Sequence, residues 1–265
     1  MSLARWIAFA ASLAATAAPA QDETTRRLEE SPRHQEWVTI RSGERTVHAF
    51  VVYPEKSEKA DAVVVIHENR GLVDWTRAVA DRLAEAGYLA IAPDLLSGAA
   101  PGGGRTKDFP TGDAAREAIY AVPPEQVIAD LDATADWAKA LPAASGRVAV
   151  AGFCWGGAQS FRFATERNDL SAAFVFYGTP PEAEAMDRIA CPVHGIYGSR
   201  DARVNATIPA TEAAMKERGK TFEPVVYEGA QHAFMRRGEE EGSDPADRAA
   251  RDAAWTRWIE RLRGE

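Results

Sequence analysis

RVAVAGFCWGG, residues 147–157, decides how this chain is to be read. The apolar run through Ala151 suits a strand buried on both faces, and the stretch from Cys154 to about residue 167 suits a helix. A strand that turns straight into a helix crowds the positions two before and two after its apex. The G-x-C-x-G at 152–156 therefore has glycine where such a turn needs it and lifts Cys154 to the apex. The first turn of the following helix directs its N–H groups and dipole at the sulfur, so a thiolate is expected there.

Working outward, AVVVIH (62–67), YLAIAP (88–93), AAFVFYG (172–178), PVHGIYG (192–198) and FEPVVYEG (222–229) read as further strands. Helical stretches fall at about 75–86, 124–141, 208–218 and 245–263. Alternation of this kind implies an α/β fold, an open and mostly parallel doubly wound sheet with right-handed crossovers. Upstream, EWVTI and RTVHAFVVYP flank the turn Ser42-Gly43 and suggest an N-terminal antiparallel hairpin. Residues 97–111, rich in Gly and Pro, fit no element. They are expected either to arch over the site or to be a surface connection.

In such a sheet, ligands bind beyond the carboxyl ends of the strands. Asp201 and His232 each follow a late strand there, in the chain order nucleophile, acid, base. The reading is a triad in which His232 takes the thiol proton while Asp201 orients the imidazole. The backbone N–H groups of Trp155 and Asn69 are the expected oxyanion donors. Glu68, at the end of the strand before Asn69, would bring a carboxylate near the sulfur. Arg236 is either a solvated neighbour of Arg237 or a cation for a substrate carboxylate. His34, His48, His67 and His194 are read as structural. No metal is expected, since His67-Glu68 lacks the partners of an H-E-x-x-H site.

Composition sets the frame. The chain has 265 residues, 46% hydrophobic and 26% charged, with a formal charge of -8 and no basic block. One globular domain over 36–265 follows, with no nucleic acid partner. Residues 1–20 combine Arg5, an apolar stretch and Ala18-Pro19-Ala20, the pattern of a secretory signal cleaved near Ala20. The apolar stretch is too short for a membrane anchor, so an exported, periplasmic or secreted protein is expected. Residues 21–35, charged and poor in apolar side chains, read as a linker or mobile arm. Cys191, before Pro192, reads as a small buried residue.

The segments GFCWGG, HENRG, APDLL, GIYGSRDARV and GAQHAF, in that order, resemble the dienelactone hydrolase family of the α/β-hydrolase fold, over about residues 36–263. The resemblance implies a Cys154, His232, Asp201 triad, no cofactor, and cleavage of a small ester or lactone. It also places on Glu68 the glutamate that touches the resting cysteine, and on Arg236 the arginine after the catalytic histidine. The family's second carboxylate-binding arginine, shortly after the PDL segment, is missing: Ser97-Gly98 stands there, and Arg105 is the one nearby substitute. A thiolate also leaves a tetrahedral intermediate more readily than an ordinary alkoxide does, so enol and aryl esters suit the nucleophile better than amides. Acyl transfer or thioester cleavage on the same triad, and a hydrolase-fold protein that only binds ligands, are the competing readings. A monomer or small homo-oligomer is expected.

Overall fold

The computed structural model describes residues 23–265. The expected signal at 1–20 lies outside the described residues. Among those described, eight strands make one sheet: β1 Gln35–Ser42, β2 Arg45–Val52, β3 Ala60–Ile66, β4 Leu89–Asp94, β5 Ala144–Phe153, β6 Ala173–Phe176, β7 Val193–Gly198 and β8 Phe222–Tyr227. Their spatial order is β1-β2-β4-β3-β5-β6-β7-β8. The β1–β2 hairpin is antiparallel and joins antiparallel to β4, while every pairing from β4 through β3 to β8 is parallel. Gly43, at φ 59°, turns the hairpin.

Helices cover both faces. In chain order they are α1 Glu23–Glu30, α2 Asp74–Glu85, α3 Gly112–Ala121, α4 Pro124–Ala140, α5 Trp155–Glu166, α6 Ala202–Asn205, α7 Ile208–Glu217, α8 Phe234–Arg237 and α9 Pro245–Arg263. Side chains alternate across a strand, so β3 sends Val64 and Ile66 to the core shared with α4 and α5, and Val63 and Val65 to the core shared with α2 and α9. Trp258 of α9 is fully buried, edge-on to Phe176 at 4.9 Å. Burying each such side chain contributes roughly 1.5–3 kcal/mol. No helix among the described residues is long and apolar enough to cross a membrane.

The segment expected to be a mobile arm is ordered from residue 23 on. Asp81 of α2 has no exposed surface, and its carboxylate accepts from Arg33 at 2.9 and 2.7 Å and from Ser31, with Arg27 3.2 Å away. A buried carboxylate left unpaired costs several kcal/mol. Charge therefore docks this segment, which apolar content alone did not foretell.

Residues 97–111, expected to arch over the site or to be a surface connection, hold two short 3-10 turns, Pro101–Gly103 and Thr106–Asp108, and lead into α3. Asp94 accepts from the Thr106 N–H and hydroxyl at 3.0 and 2.7 Å, and the Leu72 N–H donates to that same hydroxyl at 3.0 Å. The loop is thus laced to the ends of β3 and β4. Thr111 caps α3 by accepting from the Ala114 N–H at 3.1 Å.

Candidate active site

Cys154 sits between β5 and α5 at φ 57°, ψ -114°, a conformation costly for any residue with a Cβ. Close packing holds it there. A Cβ on Gly152 would lie 1.9 Å from the Gly156 carbonyl oxygen, and one on Gly156 would lie 2.4 Å from that of His67. The glycines at 152 and 156 thus let the turn close against the end of β3.

Asp201 follows β7 and is almost fully buried; His232 follows β8. The His232 Nδ1 and an Asp201 carboxylate oxygen are 2.5 Å apart. This contact fixes the ring, which also tilts against Tyr177 at a centroid distance of 5.0 Å, and leaves Nε2 for the cavity. Cys154, Glu68, Asn69, His232 and Arg236 all line that cavity, of about 690 Å³. Trp155, directly after Cys154, supplies the first residue of α5.

The surroundings of the sulfur oppose the thiolate expected from its helix. Burial, and next the negative charge of Glu68, push the Cys154 thiol above the ordinary range; the Trp155 N–H and Arg203 pull it only partly back. Glu68 is itself pushed up by burial and held down by Arg236, whose Nε lies 3.0 Å from its carboxylate. The other Glu68 oxygen is buried and finds no hydrogen-bond partner among the described residues, and the same holds for the Tyr177 hydroxyl. Arg236 also reaches Glu240 at 2.5 Å, so the cation considered for a substrate carboxylate already faces two carboxylates.

His67 is held by hydrogen bonds at the end of β3. Its Nε2 accepts from the Leu95 N–H at 3.3 Å, which leaves Nδ1 as the donor to the Glu68 carbonyl at 2.7 Å. Both ring nitrogens are therefore engaged, and burial keeps the ring neutral. Among the described residues, no group of three or more His, Cys, Asp or Glu side chains is arranged to hold a metal ion.

Sequence reasoning passed over Arg70, Arg116, Tyr120 and Arg203, which share the cavity. Arg116 and Tyr120 arrive on α3, whose Thr111 cap and Ala-rich start were visible signals. Arg105, the substitute arginine considered, turns elsewhere: its guanidinium lies 3.5 Å from the centroid of the Trp37 ring. The 97–111 loop lines a second cavity beside the first instead of covering Cys154.

A mostly parallel sheet with an antiparallel hairpin, and a cysteine at the apex of the β5–α5 turn, define an α/β-hydrolase fold. The family model for the dienelactone hydrolase family matches residues 47–264, and the chain belongs to that family of hydrolases. A Yersinia pestis protein provisionally assigned as a carboxymethylenebutenolidase is 31% identical over 210 residues, 74% of this chain and 77% of its own. The Pseudomonas putida carboxymethylenebutenolidase is 28% identical over 211 residues, covering 76% and 86%. Among solved structures, a provisionally assigned dienelactone hydrolase of Klebsiella pneumoniae superposes with a TM-score of 0.74 at 27% identity, covering 86% of this chain and 97% of its own. A dienelactone hydrolase-like promiscuous phosphotriesterase from metagenomic libraries gives 0.72 at 25%, covering 86% and 96%.

Proposed function

We propose that the protein hydrolyses small carboxylic esters or lactones through Cys154, His232 and Asp201 and a thioester intermediate. The observation that carries the proposal is one cavity holding a strained apical cysteine and a histidine whose far nitrogen is engaged by a buried carboxylate.

Because the resting sulfur is a thiol, attack is coupled to proton transfer. The His232 Nε2 takes the S–H proton as the sulfur bonds to the substrate carbonyl carbon. The carbonyl electron pair moves to oxygen, which accepts from the Trp155 and Asn69 N–H groups. Collapse breaks the C–O bond, and His232 returns the proton to the leaving oxygen. Water, deprotonated by the same imidazole, then attacks the thioester carbonyl, the C–S bond breaks, and the imidazolium returns the proton to the sulfur, releasing the acid and the Cys154 thiol. A hydrogen-bonded Asp201 stabilises the imidazolium in both halves.

Glu68 and Arg236 act on the nucleophile's charge more than on bond breaking. Paired with Arg236, Glu68 keeps a negative charge beside Cys154 and holds the thiol protonated between turnovers. Substrates with good leaving groups fit best. The test is turnover of p-nitrophenyl acetate and of an enol lactone, with mass spectrometry of the quenched reaction. An acyl adduct on the peptide bearing Cys154 is expected; an adduct elsewhere, or full activity without Cys154, overturns the mechanism.

We also infer export from residues 1–20. Amino-terminal sequencing of protein from the native host's periplasm or medium is expected to begin at about Gln21. An intact Met1 on the soluble native protein would refute it.

A further inference from the structure

Beside the Cys154 cavity lies a second, of about 650 Å³, which meets the first along Arg70, Val73 and Arg236. Either volume alone lies in the range of pockets that enclose drug-sized ligands, so a lone lactone ring leaves the second unused. We propose that this second cavity is a substrate subsite for an aromatic ring carried a few bonds from the scissile ester. The proposal rests on the ester-hydrolase reading and names the substrate class of that site.

The walls suit such a ring. Val73, Phe109 and Pro110 supply accessible apolar surface, beside the charged Asp74, Lys107 and Glu239. Phe109 is only half-buried, and Val73 is among the few large apolar side chains left exposed, at 37%. Tyr120, at 59%, lines the neighbouring catalytic cavity. Val73 and Tyr120 thus leave apolar surface open on the two adjoining cavities.

The subsite is also preformed. Trp75 is fixed edge-on to Phe153, the residue before the nucleophile, at 5.0 Å, and its indole N–H donates to Glu239 at 2.9 Å. On the other side, Thr106 is tied to Asp94 and Leu72, and a Cβ on Gly71 would lie 2.2 Å from the Thr106 hydroxyl. The loop wall cannot fall inward to fill the space. A ring entering it meets ordered surfaces and so loses little to rearrangement. At the junction stand Arg70 and Arg236, the latter paired with Glu68 and Glu240.

Two ester series test this. One extends the acid: p-nitrophenyl acetate, phenylacetate, 3-phenylpropanoate and 4-phenylbutanoate. The other extends the alcohol: the acetates of benzyl alcohol, 2-phenylethanol and 4-phenylbutanol. In at least one series, kcat/KM is expected to rise about tenfold or more once the ring spans the junction, the scale on which pocket contacts discriminate; the series that rises tells which side of the ester enters. Phe109→Ala is expected to cut that gain at least about fivefold and Phe109→Leu to cut it less, each read as a ratio to the acetate of the same variant. Melting temperatures verify that both variants are folded. A flat or falling profile in both series, or a gain untouched by Phe109→Ala, overturns the subsite. Absence of turnover on every ester instead counts against the hydrolytic reading. Titration of Cys154→Ala protein with p-nitrophenyl 4-phenylbutanoate and 4-phenylbutyl acetate then still decides the subsite: binding at least about tenfold tighter than the parent acetate supports it, and equal binding overturns it.

Discussion

Cys154 and Cys191 are the same side chain in two backbone settings. Cys191 lies just before β7 at 6% exposure, and burial pushes its thiol up to about 11. Cys154 is pushed up too, yet it stands at φ 57° on a turn, faces a cavity of about 690 Å³, and shares it with His232. Acidity at rest therefore does not separate the two thiols. What separates them is whether a base, an N–H donor and space for a substrate surround the sulfur.

The largest contrast comes from deleting each sulfur in turn. Cys154→Ala is expected to lower p-nitrophenyl acetate turnover at least about 10⁴-fold, the scale of losing a nucleophile. Cys191→Ala should leave kcat/KM within about twofold and cost roughly 1 kcal/mol in denaturant titration, as an ordinary buried substitution does. Equal activity losses in the two variants would erase the distinction. Next in size is Asp201→Asn, which keeps the shape but not the charge at 2.5 Å from His232. Its kcat is expected to fall roughly 10³- to 10⁴-fold with KM little changed. A shift in KM alone would mean that Asp201 merely shapes the pocket.

Gly156→Ala probes the turn rather than the sulfur. The added Cβ would sit 2.4 Å from the His67 carbonyl oxygen and 2.5 Å from that of Ile66. Backbone cannot step aside as a flexible side chain can, so a loss of about 1–3 kcal/mol is expected. In a chain of this size that lowers the melting temperature by roughly 2–4 °C for each kcal/mol. An unchanged melting temperature would show that the turn is looser than its packing implies.

The turn at Cys154 was legible because its determinants are local: an apolar run, the glycines at 152 and 156 and the start of a helix within eleven residues. Asp201 and His232 were legible because parallel topology places strand ends together. The sulfur's protonation was not, because the helix dipole is a local feature, whereas burial and Glu68 come from tertiary structure. The same holds for Arg116 and Arg203, ordinary helical arginines until folding turns them into one cavity. Residues 23–33 illustrate the opposite error. Their polar composition suggested a loose arm, but a buried Asp81 on a distant helix gives Arg27 and Arg33 of this segment a partner.

The smallest expected effect tests the electrostatic half of the comparison. Burial raises both thiols, and at Cys154 the neighbouring negative charge of Glu68 adds to it by disfavouring the thiolate. Glu68→Gln removes that charge and should move the Cys154 thiol back down. Below its pKa, thiolate fraction changes tenfold per unit, so a partial shift predicts iodoacetamide labelling of Cys154 at pH 8 roughly threefold to tenfold faster in the variant. The Cys191 peptide in the same digest serves as the internal reference and should label slowly in both proteins. Slower Cys154 labelling in the variant would mean that Glu68 acts as the thiol's base rather than as a charge that keeps it protonated. Acceleration at both cysteines would mean that the fold had loosened.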